Sequence, residues 1–110
     1  MDNPEKIFYN LVDEKVTTQA VQELQQHAHP SFTTPSPPPA WKDKAFDGRR
    51  AYIKCHLDNA ILIVGQNAMT TYSGVEWSEL QLEDAGHSPF LTHTEAVGSY
   101  VDGLAQKWSS

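Results

Sequence analysis

Two runs decide the reading of this chain: Arg50-Ala51-Tyr52-Ile53-Lys54-Cys55 with Asp58 just beyond it, and Val75 to Leu82 with Gly86-His87-Ser88-Pro89-Phe90 just beyond that. The first run is short, β-branched and aromatic, the composition of a strand. Asp58-Asn59 opens a turn, and Ala60 to Tyr72 then carries Ile61, Leu62, Val64, Ala68 and Met69 in a helical distribution that Ser73-Gly74 closes. Gly65 weakens this helix by about 1 kcal/mol relative to Ala. Val75, Trp77, Leu80 and Leu82 alternate, imperfectly, as a second strand. Strand, helix, strand predicts a right-handed crossover between parallel strands. Both strands then end at one edge of the sheet. A carboxylate past one end and an imidazole past the other meet where open α/β sheets carry their chemistry.

Beyond the second strand, Thr92 and Glu95 have the spacing of a capping box, and Val97, Tyr100, Val101, Leu104 and Trp108 form the stripe of an amphipathic helix turned toward the sheet. Upstream, Pro4 to Leu11 suits a turn or two of helix. A longer helix is expected from an Asp13 cap, with Val16, Ala20, Val21 and Leu24 on one side, ending by Ala28 or His29 before Pro30. Pro30 to Ala40 holds five of the seven prolines and predicts an extended connector. Trp41 is expected to anchor it by burying its ring, and Asp47-Gly48 is a turn signal leading into the first strand.

At 110 residues the chain predicts one domain: a helical segment at 1–29, the Pro-rich connector at 30–48 and a strand-helix-strand-helix core at 49–110. The fold class is α/β, a small parallel sheet with flanking helices. Two parallel strands alone make a poor sheet, because parallel pairs normally sit inside larger sheets. Fourteen acidic residues against eight basic ones give a net charge of −6, which argues against binding a nucleic-acid backbone. The longest apolar run, Ala60 to Gly65, is too short for a bilayer, and Met-Asp-Asn-Pro-Glu has no signal-peptide pattern. With Cys55 the one cysteine, a reducing, cytoplasmic setting is expected.

Asp58-Asn-Ala-Ile-Leu with Gln66 and Met69, then Ala85-Gly-His-Ser-Pro-Phe-Leu91 and Glu95, resembles the C-terminal part of the α/β-hydrolase superfamily, nearest its fungal members and the plant esterases and hydroxynitrile lyases. Phe8-Tyr9-Asn10 and the Pro-rich passage ending in Ala40-Trp41 resemble the lid and its return to the core in the fungal group. The resemblance implies that Asp58 matches the acid of a catalytic triad and His87 its base. It departs from the family at several points. The sequence contains no Gly-x-Ser-x-Gly nucleophile elbow, nor the strands that would carry it and the oxyanion loop. Leu62 stands where a proline is usual and Leu11 where an aspartate is frequent.

Without a serine nucleophile, a carboxylate-oriented histidine still serves as a general acid and base near neutral pH. The expected function is therefore a small enzyme of specialised metabolism, an isomerase, lyase or cyclase that needs no cofactor and acts on a small-molecule metabolite. Two readings stand beside it. One is a non-catalytic remnant that binds a ligand or a partner; the other is one half of a split serine hydrolase. His56, Tyr52, Trp41 and Phe90 are the candidate substrate-binding residues, with Tyr9 and Tyr72 as further wall residues; core packing is the other reading of the aromatic ones. No metal is expected: His27 and His29 point to different sides of a helix, and His56 and His93 complete no zinc pattern. Cys55 reads as a core residue, Ser88 as a local turn partner, and Glu83-Asp84 as a solvated loop. The bare edge of the first strand predicts pairing with another chain, a homodimer being the commonest solution; neither nucleic acid nor a membrane is an expected partner.

Overall fold

In a computed structural model of the protein, residues 3–109 are described. Met1, Asp2 and Ser110, at the two ends of the expected domain and including the start of the N-terminal stretch, lie outside them. The elements are α1 (Pro4–Phe8), α2 (Glu14–Gln22), α3 (Pro30–Thr33), β1 (Ala51–Cys55), α4 (Ile63–Tyr72), β2 (Ser78–Leu82), α5 (Pro89–Thr92) and α6 (Thr94–Trp108), with 3-10 turns at Ala40–Lys42 and Lys44–Phe46. The class is mixed α/β: β1 and β2 form a two-stranded parallel sheet, with Ala51 opposite Ser78 and Cys55 opposite Leu82.

Among the described residues the apolar core is thin. Cys55, Leu82 and Ala85 are buried, and Ile53, Leu80 and Val97 pack against them. Polar side chains do much of the remaining work. Gln66, 2% exposed, reaches from α4 to β1, accepts the Cys55 N–H and donates to the Cys55 and Ile61 carbonyls. The Cys55 amide pair therefore meets a side chain where a neighbouring strand would otherwise stand. Lys54 is buried too, and its ammonium lies 2.9 Å from Glu79 on β2.

Several expected boundaries shift. Asp13 caps α2 as expected, accepting from the Lys15 and Val16 amides, but the helix ends at Gln22. Beyond Gln22 no apolar face is packed, since residues 23–40 are all exposed. Thr17 is the buried position of α2, while Val16 is exposed. The connector is not wholly extended: Pro30 begins a single turn of helix, a place proline tolerates because its missing N–H has no partner there. Trp41 anchors the connector less by burial than through Arg50, whose buried guanidinium donates to the Trp41 and Asp43 carbonyls and to Asp47. The second strand begins at Ser78 rather than Val75.

Thr92 and Glu95 form no capping box. Pro89 starts a separate turn that contains Thr92, and the Thr92 hydroxyl meets the His93 ring at 2.7 Å. Of the expected stripe on α6, Val97, Tyr100, Leu104 and Trp108 are half-buried and Val101 is exposed. The Tyr100 hydroxyl reaches Ser78 on β2 at 2.7 Å.

Candidate functional site

Parallel pairing carries the two strand ends to one edge, and backbone hydrogen bonds extend the alignment into the loops. The His56 amide donates to the Leu82 carbonyl and the Leu57 amide to the Ala85 carbonyl, each at 3.0 Å. The next residues on either side are Asp58 and Gly86-His87. Asp58 is 6% exposed, and its Oδ2 lies 2.9 Å from His87 Nδ1. Its other oxygen, Oδ1, accepts the amides of Ala60 at 2.7 Å and Ile61 at 3.0 Å. Those two bonds fix the carboxylate plane, and the carboxylate in turn fixes the imidazole. With Nδ1 engaged, Nε2 is the ring nitrogen left for a bound molecule.

The sequence alone did not reveal a staple that holds this pair from the N-terminal segment. Asn10 donates to the Leu57 carbonyl at 2.6 Å, and its side-chain oxygen accepts the His87 amide at 3.4 Å, so one amide group spans both loops. Gly86 allows this: a Cβ there would sit 2.6 Å from both Asn10 oxygens. Ser88 is buried and donates to the Phe8 carbonyl at 2.5 Å, which ties the histidine loop to α1, while its own carbonyl accepts the Leu91 amide at 3.1 Å in the expected local turn. Asn59 reaches the Lys6 carbonyl at 2.8 Å, and the Phe8 ring lies 5.4 Å from the His87 ring. A Phe-x-Asn pattern before the first long helix was the one available signal, and it names no partner 47 or 77 residues away.

Beside His87 opens a cleft of about 1000 Å³, walled by Phe8, Val21, Leu24, Phe32, Phe90 and Leu91. Among the described residues no Lys, Arg, Asp or Glu lines it. Of the expected binding residues, Phe90 lines this cleft, as does Tyr9; Tyr52, Trp41, His56 and Tyr72 do not. Trp41 and Tyr52 instead gather around Trp77, with ring centroids 5.9 and 6.3 Å away. His56 meets Gln81 on β2 at 2.7 Å, because its position continues β1 toward β2. Tyr72 is 88% exposed.

Burial, and then the negative charge of Asp58, push the Cys55 thiol above its ordinary range, and the same two causes raise the Tyr52 phenol, with Cys55 adding a smaller share. Cys55 is thus kept as a neutral thiol in the core, unsuited to nucleophilic attack. His93 hydrogen-bonds to Asp84 at 2.8 Å and holds that exposed carboxyl below its usual range. Among the described residues no group of three or more His, Cys, Asp or Glu side chains is placed to hold a metal ion, and no helix is long and apolar enough to cross a membrane. No protein-family model, curated protein or solved structure matches the chain.

Proposed function

We propose that the protein is an α/β-hydrolase-like domain that uses His87 as general acid and base, oriented by Asp58, on an uncharged and largely apolar metabolite held in the adjoining cleft. The carrying observation is the doubly anchored carboxylate at 2.9 Å from Nδ1, beside a cleft lined by His87. In this reading Asp58 selects the tautomer with the proton on Nδ1 and stabilises the imidazolium, while Nε2 takes a proton from the substrate and returns it. That cycle suits isomerisation, β-elimination or ring closure, none of which needs a covalent intermediate. The apolar walls favour a neutral substrate, because a charged one would lose hydration without finding an opposite charge.

The test is incubation in D2O with a panel of apolar ketones and β-substituted carbonyl compounds, with deuterium uptake or elimination followed by mass spectrometry. Wild type turns over at least one of them. His87→Ala is inactive, and Asp58→Asn is slower by about 10²- to 10⁴-fold with an unchanged circular dichroism spectrum. Undiminished turnover by His87→Ala overturns the proposal. Binding without turnover, equal in both proteins, favours the non-catalytic reading.

One observation favours a second reading. Ser88, next to His87, has its hydroxyl committed to the Phe8 carbonyl and is not free to act as the nucleophile; in this reading a serine from a second polypeptide completes the dyad. A fluorophosphonate probe then labels a complex and leaves this chain alone unlabelled.

A further inference from the structure

A second histidine is paired with a carboxylate, and this one also holds a hydroxyl. His93 Nε2 lies 2.8 Å from Asp84 Oδ1, and its Nδ1 lies 2.7 Å from the Thr92 hydroxyl. A carboxylate only accepts, so Nε2 carries the ring proton, Nδ1 of the neutral ring is an acceptor, and the hydroxyl donates to it. The hydroxyl proton thus already points at a basic nitrogen.

The arrangement is unusual for neighbouring residues. On a continuous helix, side chains at i and i+1 diverge. Here His93 joins α5 to α6 with φ −123° and ψ 43°, and that kink folds its ring back beside Thr92. The junction is pinned by the His93 amide on the Pro89 carbonyl at 2.7 Å and the Thr94 hydroxyl on the Phe90 carbonyl at 2.6 Å. Helix capping does not account for the contact, because His93, at the N-cap of α6, makes no side-chain bond to the first-turn amides. The His93 side chain is sheltered, 22% exposed, whereas Asp84 and Thr92 are open to solvent.

Three features suit this hydroxyl to acyl groups. A base within hydrogen-bond reach is what activates a Ser or Thr hydroxyl as a nucleophile. The first amides of α6, at the same junction, have no intrahelical acceptor and no side-chain cap, so they favour the negative charge that develops on a carbonyl oxygen under attack. Asp84, its neighbour Glu83 and Glu95 in the first turn of α6 repel anionic phosphoryl donors. The threonine methyl also crowds a tetrahedral phosphorus more than a planar carbonyl.

We propose that Thr92 is an acyl-acceptor site for a small neutral ester, with His93 as its base and Asp84 as a positioning residue. Oγ1 bonds to the carbonyl carbon while its proton passes to His93 Nδ1. The carbon–oxygen bond to the leaving alcohol then breaks, and the departing alkoxide takes that proton, which leaves acylated Thr92 and free alcohol. The step uses neither His87 nor the cleft beside it, and Thr92 does not line that cleft.

Brief reaction of the full chain with p-nitrophenyl acetate near neutral pH tests this, with the acetyl group located by peptide mass spectrometry. Thr92 is expected to be acetylated at least about 100-fold faster than Thr34 and Thr71, two other exposed threonines, since a positioned base contributes about 10²- to 10⁴-fold. His93→Gln removes that advantage. Asp84→Asn lowers it by about fivefold, the most that an exposed ion pair contributes, and Asp84→Glu restores it. His87→Ala leaves it unchanged. A Thr92 no faster than Thr34 and Thr71, or equally fast in His93→Gln, overturns the proposal. Loss of the label in His87→Ala also overturns it, because the acetyl group would then arrive by transfer from the cleft. The comparison among threonines uses wild type alone, so it decides even if a variant unfolds.

Discussion

At the residue scale the candidate site depends on side chains and backbone geometries that neither propensity nor periodicity reveals. Asn10 precedes Leu11, whose φ of +67° lies in the left-handed region that costs a non-glycine residue about 1–2 kcal/mol. The chain accepts this strain because the turn delivers Asn10 to the loops of Asp58 and His87. The Leu11 side chain is exposed, so its loss forfeits little packing. Leu11→Gly is therefore expected to stabilise the protein by about 1 kcal/mol net, relief of strain being offset by the greater freedom of glycine in the unfolded chain. Urea denaturation checks this, and a lower midpoint would show that the leucine side chain matters more than its backbone. An aspartate at this position would carry less of that cost, since Asp tolerates this region better than Leu. At Leu62, by contrast, φ −56° and ψ 150° are angles that proline itself adopts.

At the element scale the sheet is held as much by side-chain amides and ion pairs as by its single ladder. Gln66 satisfies one buried N–H and two carbonyls at once. Gln66→Ala strands these groups and is expected to cost about 3 kcal/mol, at roughly 1–3 kcal/mol for each unsatisfied buried group. Chemical denaturation checks the value, and a loss below about 1 kcal/mol would mean that water replaces the amide there. The helix was legible in the sequence; its orientation was not. Placing a glutamine inward requires knowing that among the described residues β1 has no neighbour on that side, a fact about strand pairing and not about the helix. The missed capping box has a similar origin. Thr92 and Glu95 carry the right spacing, but Pro89 nucleates a turn of its own and moves the start of α6 past the threonine.

At the scale of the whole molecule, a thin core makes stability sensitive to the titration of the few groups within it. Cys55 and Tyr52 both have raised pKa values, from burial first and the Asp58 charge second. The folded state thus favours their neutral forms. Their contribution is fully present below the ordinary values of about 8.5 for a thiol and about 10 for a phenol, and is lost as pH rises through the folded-state values. Thermal melts from pH 7 to 11 should show a stability loss that Cys55→Ala with Tyr52→Phe makes shallower; an identical slope would assign the loss to other groups. Asp58→Asn removes the second cause, so the Cys55 thiol should react with a thiol reagent at lower pH than in wild type.

By itself the sequence determined the mixed α/β class, the parallel order of the two strands and the meeting of Asp58 with His87. These come from local composition and from a topological rule: consecutive parallel strands bring the loops at their C-terminal ends to one edge of the sheet. Tertiary structure alone decided that Asn10 and Gly86 interlock behind the pair, that Tyr52 and Trp41 turn to Trp77 rather than to the cleft, and that α4 shows its apolar side outward. Those outcomes depend on which buried amide, charge or ring lies within a few ångströms across tens of residues of chain. That proximity is set by packing and hydrogen-bond satisfaction, which one-dimensional spacing does not encode.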